Sequence, residues 1–271
     1  MPAALVADDR EARPFYIVCD VSSSMHDDRF AEYWGDGEVS PWRQLFSATR
    51  EVVSKLSDNE EVRQQVHLSV VEFADRANTT LKLTRLDQEG LLVPNFSKGG
   101  RSDFAAVWKH LARLIPEDQK ELASTGFKSR RPTIFFITDG NPDLGEENCK
   151  QTTNDWKKHV YAMRRAIGDE RFYPRIIAIG LGGMSNESVL WELRSKSHHG
   201  AALIVNDASI IRQIIEQIIV NPIENSDEDS EVEATIEQII VNPIEDSDED
   251  SDEDSDEDSD EDSDEDSNGK D

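Results

Sequence analysis

Four stretches of the chain consist mostly of apolar and β-branched residues, and they limit the possible folds more than any other feature. They are Phe15–Cys19, Val66–Phe73, Pro132–Thr138 and Arg175–Gly180. Runs of this kind are typical of strands buried on both faces, as in a parallel sheet. Two weaker strands are also predicted: Thr79–Leu83 alternates like an edge strand, and Ala201–Val205 is a short last strand.

Amphipathic segments separate these predicted strands. Each has apolar residues three and four positions apart, the spacing of one helix face. They are Trp42–Leu56, Phe104–Leu114, Asp155–Ile167, Ser188–Arg194 and Ile210–Ile219. The alternation predicts an α/β fold, a doubly wound and mostly parallel sheet flanked by helices. Because ligands on such sheets bind at the carboxyl ends of strands where the strand order reverses, we expect functional residues directly after the first strand.

The C-terminal part of the chain is a different kind of polymer. Residues 225–271 hold 24 acidic residues and one basic residue, Lys270, and carry −23 of the net charge of −28. The repeated unit Ser-Asp-Glu-Asp repels itself and has nothing to bury, which predicts a disordered acidic tail. Residues 14–224 are predicted to form one domain, after an N-terminal extension of residues 1–13. The acidity argues against nucleic acid and anionic membranes as partners.

The tail contains a near copy of the end of the domain. Ile215–Glu224 recurs as Ile236–Glu245, and a Ser-Asp-Glu-Asp-Ser unit follows each copy. The second, helix-like copy at 236–245 is interpreted as a passive duplication, and the alternative is that it docks in a groove as an amphipathic ligand. The serines of the tail resemble sites of acidophilic kinases, although a purely solubilising tail is the simpler interpretation.

Cysteine content and targeting signals bear on the compartment. The chain has two cysteines, no apolar stretch near its N-terminus that suits a signal peptide, and no run of about 18 apolar residues. These features predict a cytoplasmic protein.

Oxygen-bearing side chains cluster after the predicted strands. The first strand runs into Asp20-Val21-Ser22-Ser23-Ser24, the third core strand ends in Thr138-Asp139-Gly140, and Gly99-Gly100-Arg101-Ser102-Asp103 precedes a helix. Carboxylates and hydroxyls are ligands that suit Mg²⁺ or Mn²⁺. Asp and Ser are also common helix caps and turn residues, so the first motif alone leaves both interpretations open.

Together the three motifs resemble the metal-ion-dependent adhesion site of von Willebrand factor A domains, over roughly residues 14–220. The resemblance implies five metal ligands, acting directly or through water: Asp20, Ser22, Ser24, Ser102 and Asp139. Many members of that family have Thr directly after the double glycine, whereas this chain has Arg101 there. Ser102 is therefore the ligand that the resemblance defines least.

A narrower likeness involves Thr138-Asp139-Gly140-Asn141-Pro142-Asp143, with Asp155-Trp156 further along. This stretch looks like that of the tellurite-resistance, TerY-like group of these domains. The likeness implies a cytoplasmic bacterial protein of a stress-response or signalling system that includes a kinase, a phosphatase or an ATPase. Fold-level analogy does not by itself fix function.

These features predict a divalent-metal-dependent protein-binding module, an adaptor or scaffold whose partner completes the metal sphere with an Asp or Glu. One alternative is a metal-independent scaffold with a degenerate site. Another is a Mg²⁺-dependent phosphatase, which needs a second acid two residues after the first, where this chain has Ser22. We therefore predict that the chain is not an enzyme.

Four other candidates have simpler interpretations. Asp27 and Asp28 are interpreted as solvated acids, His198-His199 as loop surface, Cys19 as a buried thiol, and Gly180–Gly183 as a tight turn.

Overall fold

The computed structural model describes residues 10–27, 40–88, 95–140, 155–182, 185–195, 200–206 and 208–220, with residues 91, 93 and 142. The predicted acidic tail, residues 225–271, and its duplicated segment 236–245 lie outside this part of the chain. So do Asp28, His198 and His199.

A mostly parallel, seven-stranded sheet forms the centre of the fold. Its strands are β1 (Arg10–Asp20), β2 (Val66–Phe73), β3 (Ala77–Arg85), β4 (Phe127–Ser129), β5 (Thr133–Thr138), β6 (Arg175–Leu181) and β7 (Ala202–Val205). The order is β3-β2-β1-β5-β6-β7, and β4 pairs with the start of β1. The edge strand β3 runs antiparallel to β2, whereas the other pairs are parallel. This arrangement confirms the predicted α/β fold.

The position of β1 explains why a site is expected at its end. The chain builds β2 and β3 on one side of β1, then crosses to build β5, β6 and β7 on the other. Asp20 is in register with Phe73 of β2, and Cys19 with Ile137 of β5. Loops after β1 and β5 therefore leave the sheet at the same edge and in opposite directions, which opens a crevice there.

Helices cover both faces of the sheet: α1 (Ser23–His26), α2 (Pro41–Asp58), α3 (Glu60–Gln65), α4 (Phe104–Ser124), α5 (Lys157–Ile167), α6 (Glu187–Leu193) and α7 (Ala208–Val220). Alternate residues of β1 serve the two faces. Phe15 and Ile17 pack in one core with α2 and α7, and Tyr16 and Val18 pack in another with α4, α5 and α6. No helix in the described ranges is long and apolar enough to cross a membrane.

Most predicted elements are present, with different ends. The structure begins β1 at Arg10, so residues 10–13, which the sequence assigned to an extension, belong to a strand. The prediction that the second amphipathic segment ends at Leu114 was wrong, because α4 continues through a buried Pro116 to Ser124. A proline within a helix removes one hydrogen bond, and burial of Ile115 and of Pro116 itself offsets that loss. The sequence interpretation also missed α1, α3 and β4, which are short elements without a clear period.

The last helix, α7, is held by its isoleucines. Ile211, Ile214, Ile215, Ile218 and Ile219 are buried in the core that α7 shares with α2. At the far end of the helix, Nη2 of Arg13 donates a hydrogen bond to the carbonyl oxygen of Ile219, at 2.8 Å. The first copy of the duplicated sequence thus supplies part of the core.

We expect Ile214→Ala to destabilise the domain by about 2 to 5 kcal/mol, because it leaves a cavity beside α2. Val220→Ala is the matched control, since Val220 lies on the same helix and is 41% exposed. It should change stability by no more than about 0.5 kcal/mol. Urea unfolding measures both. Equal losses in the two variants would contradict the burial of this helix face.

Candidate metal centre

Asp20 is the centre of the candidate site. It is the last residue of β1 and is fully buried. Its Oδ1 accepts a hydrogen bond from the backbone N–H of Ser22 at 2.9 Å, and its Oδ2 accepts one from the hydroxyl of Thr138 at 2.7 Å. The Ser102 side chain also hydrogen-bonds this carboxylate. Donors from three separate segments therefore fix its orientation.

The hydroxyls of the first motif lie beside this carboxylate. Ser22 is the residue before the one-turn helix α1, and the turn places Ser22 and Ser24 on the same side. Their Oγ atoms are 3.2 Å apart. Ser24 Oγ in turn donates to Oδ1 of Asp139 at 3.0 Å, which joins the end of β1 to the end of β5. Hydrogen-bonded side-chain oxygen atoms therefore extend from Ser22 through Ser24 to Asp139.

The glycine-rich loop is docked against this hydrogen-bonded group by its backbone. The N–H of Gly99 donates to the carbonyl of Val21, and the N–H of Ser23 donates to the carbonyl of Gly100, both at 2.8 Å. A Cβ atom at Gly99 would overlap the methyl group of Ala74. One at Gly100 would lie 2.6 Å from Oδ2 of Asp75. Gly99 is therefore needed for the loop to approach β1 so closely, whereas the flexible side chain of Asp75 could move away from a Cβ at position 100.

The structure also resolves which residue of this loop faces the site. Arg101 is exposed, whereas Ser102 is buried and contacts Asp20. Asp103 then caps α4, because its carboxylate accepts from the backbone N–H of Ala106 at 2.9 Å. The extra residue after the double glycine is thus directed to solvent, and the hydroxyl that follows it reaches the site.

Two buried carboxylates in one cluster disfavour each other's charged form. Burial raises the pKa of Asp20, and hydrogen bonds from Ser22 and Thr138 partly offset the rise. Burial and the charge of Asp20 raise the pKa of Asp139 to about 7, although the hydrogen bond from Ser24 acts in the opposite direction. A divalent cation held by these oxygens would reverse both effects, since it favours the charged form of each acid.

The composition of the cluster indicates which class of ion it fits. Among the described residues, no group of three or more His, Cys, Asp or Glu side chains is placed to hold a metal. The cluster instead consists of two carboxylates and three hydroxyls, all oxygen donors. Oxygen donors suit Mg²⁺ and Mn²⁺, whereas Zn²⁺ sites are built mainly from nitrogen and sulfur. The residues therefore fit a hard divalent cation.

All five predicted ligands come together in this cluster, and two contributors were missed. One of them is Thr138, whose hydroxyl orients Asp20, a role that its position in the Thr-Asp-Gly motif did not indicate. Glu72 is buried near the end of β2 and accepts from the backbone N–H and the hydroxyl of Ser97, at 2.8 and 2.7 Å. An acid inside an otherwise apolar strand was the available signal. Glu72 holds the segment that leads into the glycine loop.

The remaining described candidates have structural roles. Burial raises the pKa of the Cys19 thiol, which is therefore an inert packing residue rather than a nucleophile. A Cβ at Gly180 would lie 2.6 Å from the Cβ of Ser185, so this glycine allows a tight strand-to-helix turn. Asp27 ends α1 at its C-cap.

Residues 15–141 match the sequence model of the von Willebrand factor type A domain. A mutant of the PilB minor pilin from Streptococcus sanguinis is similar in structure, with a TM-score of 0.51 and 10% identity over 86% of this chain and 64% of that chain. A von Willebrand factor type A protein from Catenulispora acidiphila has a TM-score of 0.50 and 14% identity, over 77% of this chain and 42% of that chain.

Proximal thread matrix protein 1 from the mussel byssus, in a structure with a zinc-occupied MIDAS motif, has a TM-score of 0.47 and 16% identity. That match covers 77% of this chain and 47% of the mussel chain, so this chain spans about half the length of that protein. At such identities the likeness to solved structures concerns the fold. No curated protein is significantly similar in sequence.

We expect Asp139 to contribute a loss of stability as the pH of the metal-free protein rises from about 5 to about 7, whereas His67, His110 and His159, whose pKa values burial lowers, contribute in the opposite direction. The pKa of Asp139 is raised to about 7 in the folded protein, so the folded state holds more protons than the unfolded state in this range. Its stabilising proton is lost as the pH approaches 7, at a cost on the order of 1.4 kcal/mol per pH unit. Urea unfolding in EDTA measures the slope.

Asp139→Asn is the control, and it should remove much of this slope. Burial also raises the pKa of Asp118, to about 6, and that group adds a slope of the same sign in both proteins. Identical slopes for the variant and the parent would show that Asp139 is not the titrating group.

Gly99→Ala should destabilise the protein by about 1 to 3 kcal/mol, because the new methyl group overlaps Ala74 and the loop must move away from β1. Gly140→Ala is the matched control, since a Cβ there meets no atom within 4 Å. Thermal unfolding compares the two. A loss at Gly140 equal to that at Gly99 would contradict the packing explanation.

Proposed function

We propose that this chain is a divalent-metal-dependent protein-binding module, an adaptor or scaffold, because residues 15–141 match the sequence model of the von Willebrand factor type A domain. Five oxygen-bearing side chains in one hydrogen-bonded cluster carry this proposal. They are Asp20, Ser22, Ser24, Ser102 and Asp139, and they lie at the edge of the sheet where the strand order reverses. Clefts at such edges are where proteins of this architecture bind ligands.

We further propose Mg²⁺, or Mn²⁺, as the ion. The five side chains would hold it, and when bound it would supply a positive charge at the surface of the domain. Three of the donors are neutral hydroxyls, so the protein offsets only part of the ion's dehydration cost. The ion would therefore bind with modest affinity alone, and more tightly once a partner contributes an Asp or Glu. This is a reason for metal and partner to bind cooperatively.

The partner and the system are proposed on sequence resemblance. The motif Thr138-Asp139-Gly140, with Asp155-Trp156 beyond, favours a cytoplasmic role beside a kinase, phosphatase or ATPase of a bacterial stress response. Trp156 is buried and stacks on Trp108 with ring centroids 6.2 Å apart. Its side chain therefore packs in the core with α4 and α5 rather than contacting a partner.

A metal-independent scaffold is the second candidate, and one observation favours it. The cluster already satisfies its own hydrogen bonds, since Thr138 donates to Asp20 and Ser24 donates to Asp139. Protonation of one buried acid would let the cluster persist without an ion. A phosphatase has no comparable support, because Ser22 occupies the place of the second acid. We propose a non-enzymatic role on this ground.

Calorimetric titration with Mg²⁺ and Mn²⁺ tests the proposal. We expect Ser22→Ala and Asp139→Asn to weaken binding by at least about tenfold, the lower end of losses from changes around metal sites. Ser23→Ala is the matched control, because its hydroxyl is directed to the carbonyl of Gly99 at 3.4 Å and not to the cluster. Its affinity should stay within about twofold of the parent. No divalent binding by the parent, alone or with partner, would contradict the metal-dependent module.

Partner binding separates the two candidates. A kinase, phosphatase or ATPase encoded beside this chain is titrated in Mg²⁺ and in EDTA. The metal-dependent module requires binding that EDTA abolishes and that Asp139→Asn weakens. Equal affinity in Mg²⁺ and EDTA would favour the metal-independent scaffold.

A further inference from the structure

A pocket with a volume of about 330 Å³ lies near the start of β1, at the opposite end of that strand from Asp20. The strand β4 contributes Lys128 and Ser129 to its wall, and β4 pairs with the first residues of β1. The other walls come from the C-terminal part of α4, the end of α5 and the short turn Glu170–Phe172. The pocket is therefore separate from the candidate metal centre.

The unequal ends of two neighbouring helices explain why the pocket exists. Trp108 of α4 stacks on Trp156, directly before α5, so the two helices run side by side from that point. Helix α5 ends at Ile167, where Gly168 turns the chain away with a φ of 81°, whereas α4 continues to Ser124. The last part of α4 thus has no helix of equal length beside it, and an open space remains there.

The wall of the pocket is mostly apolar. Its apolar residues come from both helices and from the turn after α5, and they are Pro116, Ala123, Ala166, Ile167 and Phe172. Binding sites for small molecules typically have volumes of about 300 to 1,000 Å³, apolar walls and a small number of polar groups. The pocket has the size and the wall of such a site, and an apolar ligand would gain from burial in it.

The polar groups of the pocket favour a ligand with a negative charge. The charged residues in its lining are two exposed lysines, Lys120 from α4 and Lys128 from β4, and no acid among the described residues lines it. Lysine side chains of this kind cover apolar surface with their stems and keep the ammonium group in water. Gln119 also lines the pocket, and its buried Nε2 makes no hydrogen bond within the described part of the chain. An acceptor oxygen would satisfy that donor.

We propose that this pocket binds a small, free carboxylate with an apolar chain, of the class of medium-chain fatty acids. The chain would lie against the apolar wall, and the carboxylate would lie beside Lys120 and Lys128, since charge-assisted hydrogen bonds to ammonium groups are stronger than neutral ones. Inorganic phosphate would leave the apolar wall unused, and a neutral hydrocarbon would leave the lysines unused. The proposal is independent of any metal at Asp20.

The test titrates octanoate into the full chain labelled with ¹⁵N and follows the side-chain amide resonance of Gln119. Ala166→Trp fills the pocket from α5, and Ala123→Trp fills it from α4. Ala162→Trp is the matched control, because Ala162 is exposed one turn earlier on α5 and does not line the pocket. Thermal unfolding verifies that each variant is folded. 1-Octanol and octylammonium have the same chain without the negative charge.

We expect octanoate to bind the parent and Ala162→Trp at least about tenfold more tightly than it binds Ala166→Trp or Ala123→Trp, because the indole takes the place of the ligand. Parental affinity in both pocket-filling variants would overturn the proposal, since octanoate would then bind elsewhere. The absence of any octanoate binding by the parent would overturn it as well.

The charge preference has its own control. Lys120→Gln combined with Lys128→Gln should weaken octanoate binding by roughly threefold to tenfold, the range expected for two exposed charge contacts. Lys109→Gln combined with Lys158→Gln removes the same charge from exposed positions outside the pocket, and it should change the affinity by less than about twofold. Equal losses in the two double variants, or binding of 1-octanol or octylammonium as tight as that of octanoate, would overturn the assignment of a carboxylate ligand.

Discussion

Burying two carboxylates side by side is energetically unfavourable, and the side chains at the carboxyl ends of β1 and β5 are arranged to reduce that cost. Asp20 and Asp139 end two adjacent strands, so the topology of the sheet brings them together whatever else the sequence does. Hydrogen bonds from Thr138, Ser22 and Ser24 keep both acids oriented. The pKa values remain raised, which shows that these bonds do not fully replace water. A bound cation would therefore stabilise the charged forms of these two acids.

The domain consequently has opposite electrostatic characters at its two edges. Strand β1 begins with arginines at one edge of the sheet and ends with the carboxylate of Asp20 at the other, and the stretch between them is buried and mostly apolar. The helix α7 packs along the same face and ends beside Arg13. One strand, β1, therefore connects the two edges.

Sequence patterns predicted the elements whose chemistry is local. Val66–Phe73 has the same limits in the structure as in the prediction, because every residue of that run is apolar or buried. The five proposed ligands could be predicted from the sequence because each sits in a short motif, after a strand for four of them and just before α4 for Ser102. The proximity of Arg13, Arg131 and Arg175 was not predicted, since these residues are far apart in sequence and only the strand register brings them together. The resemblance to the TerY-like group remains a prediction, because it concerns partner proteins, which a fold does not identify.

The contact between Gly99 and Ala74 has a consequence for how this sequence can change. The space between the loop and the end of β2 holds one methyl group, and Ala74 already occupies it. A side chain at position 99 is compatible with this packing only if position 74 gives up its own. Positions 74 and 99 are 25 residues apart in sequence, and we expect the sizes of their side chains to vary together in any chain that keeps this site.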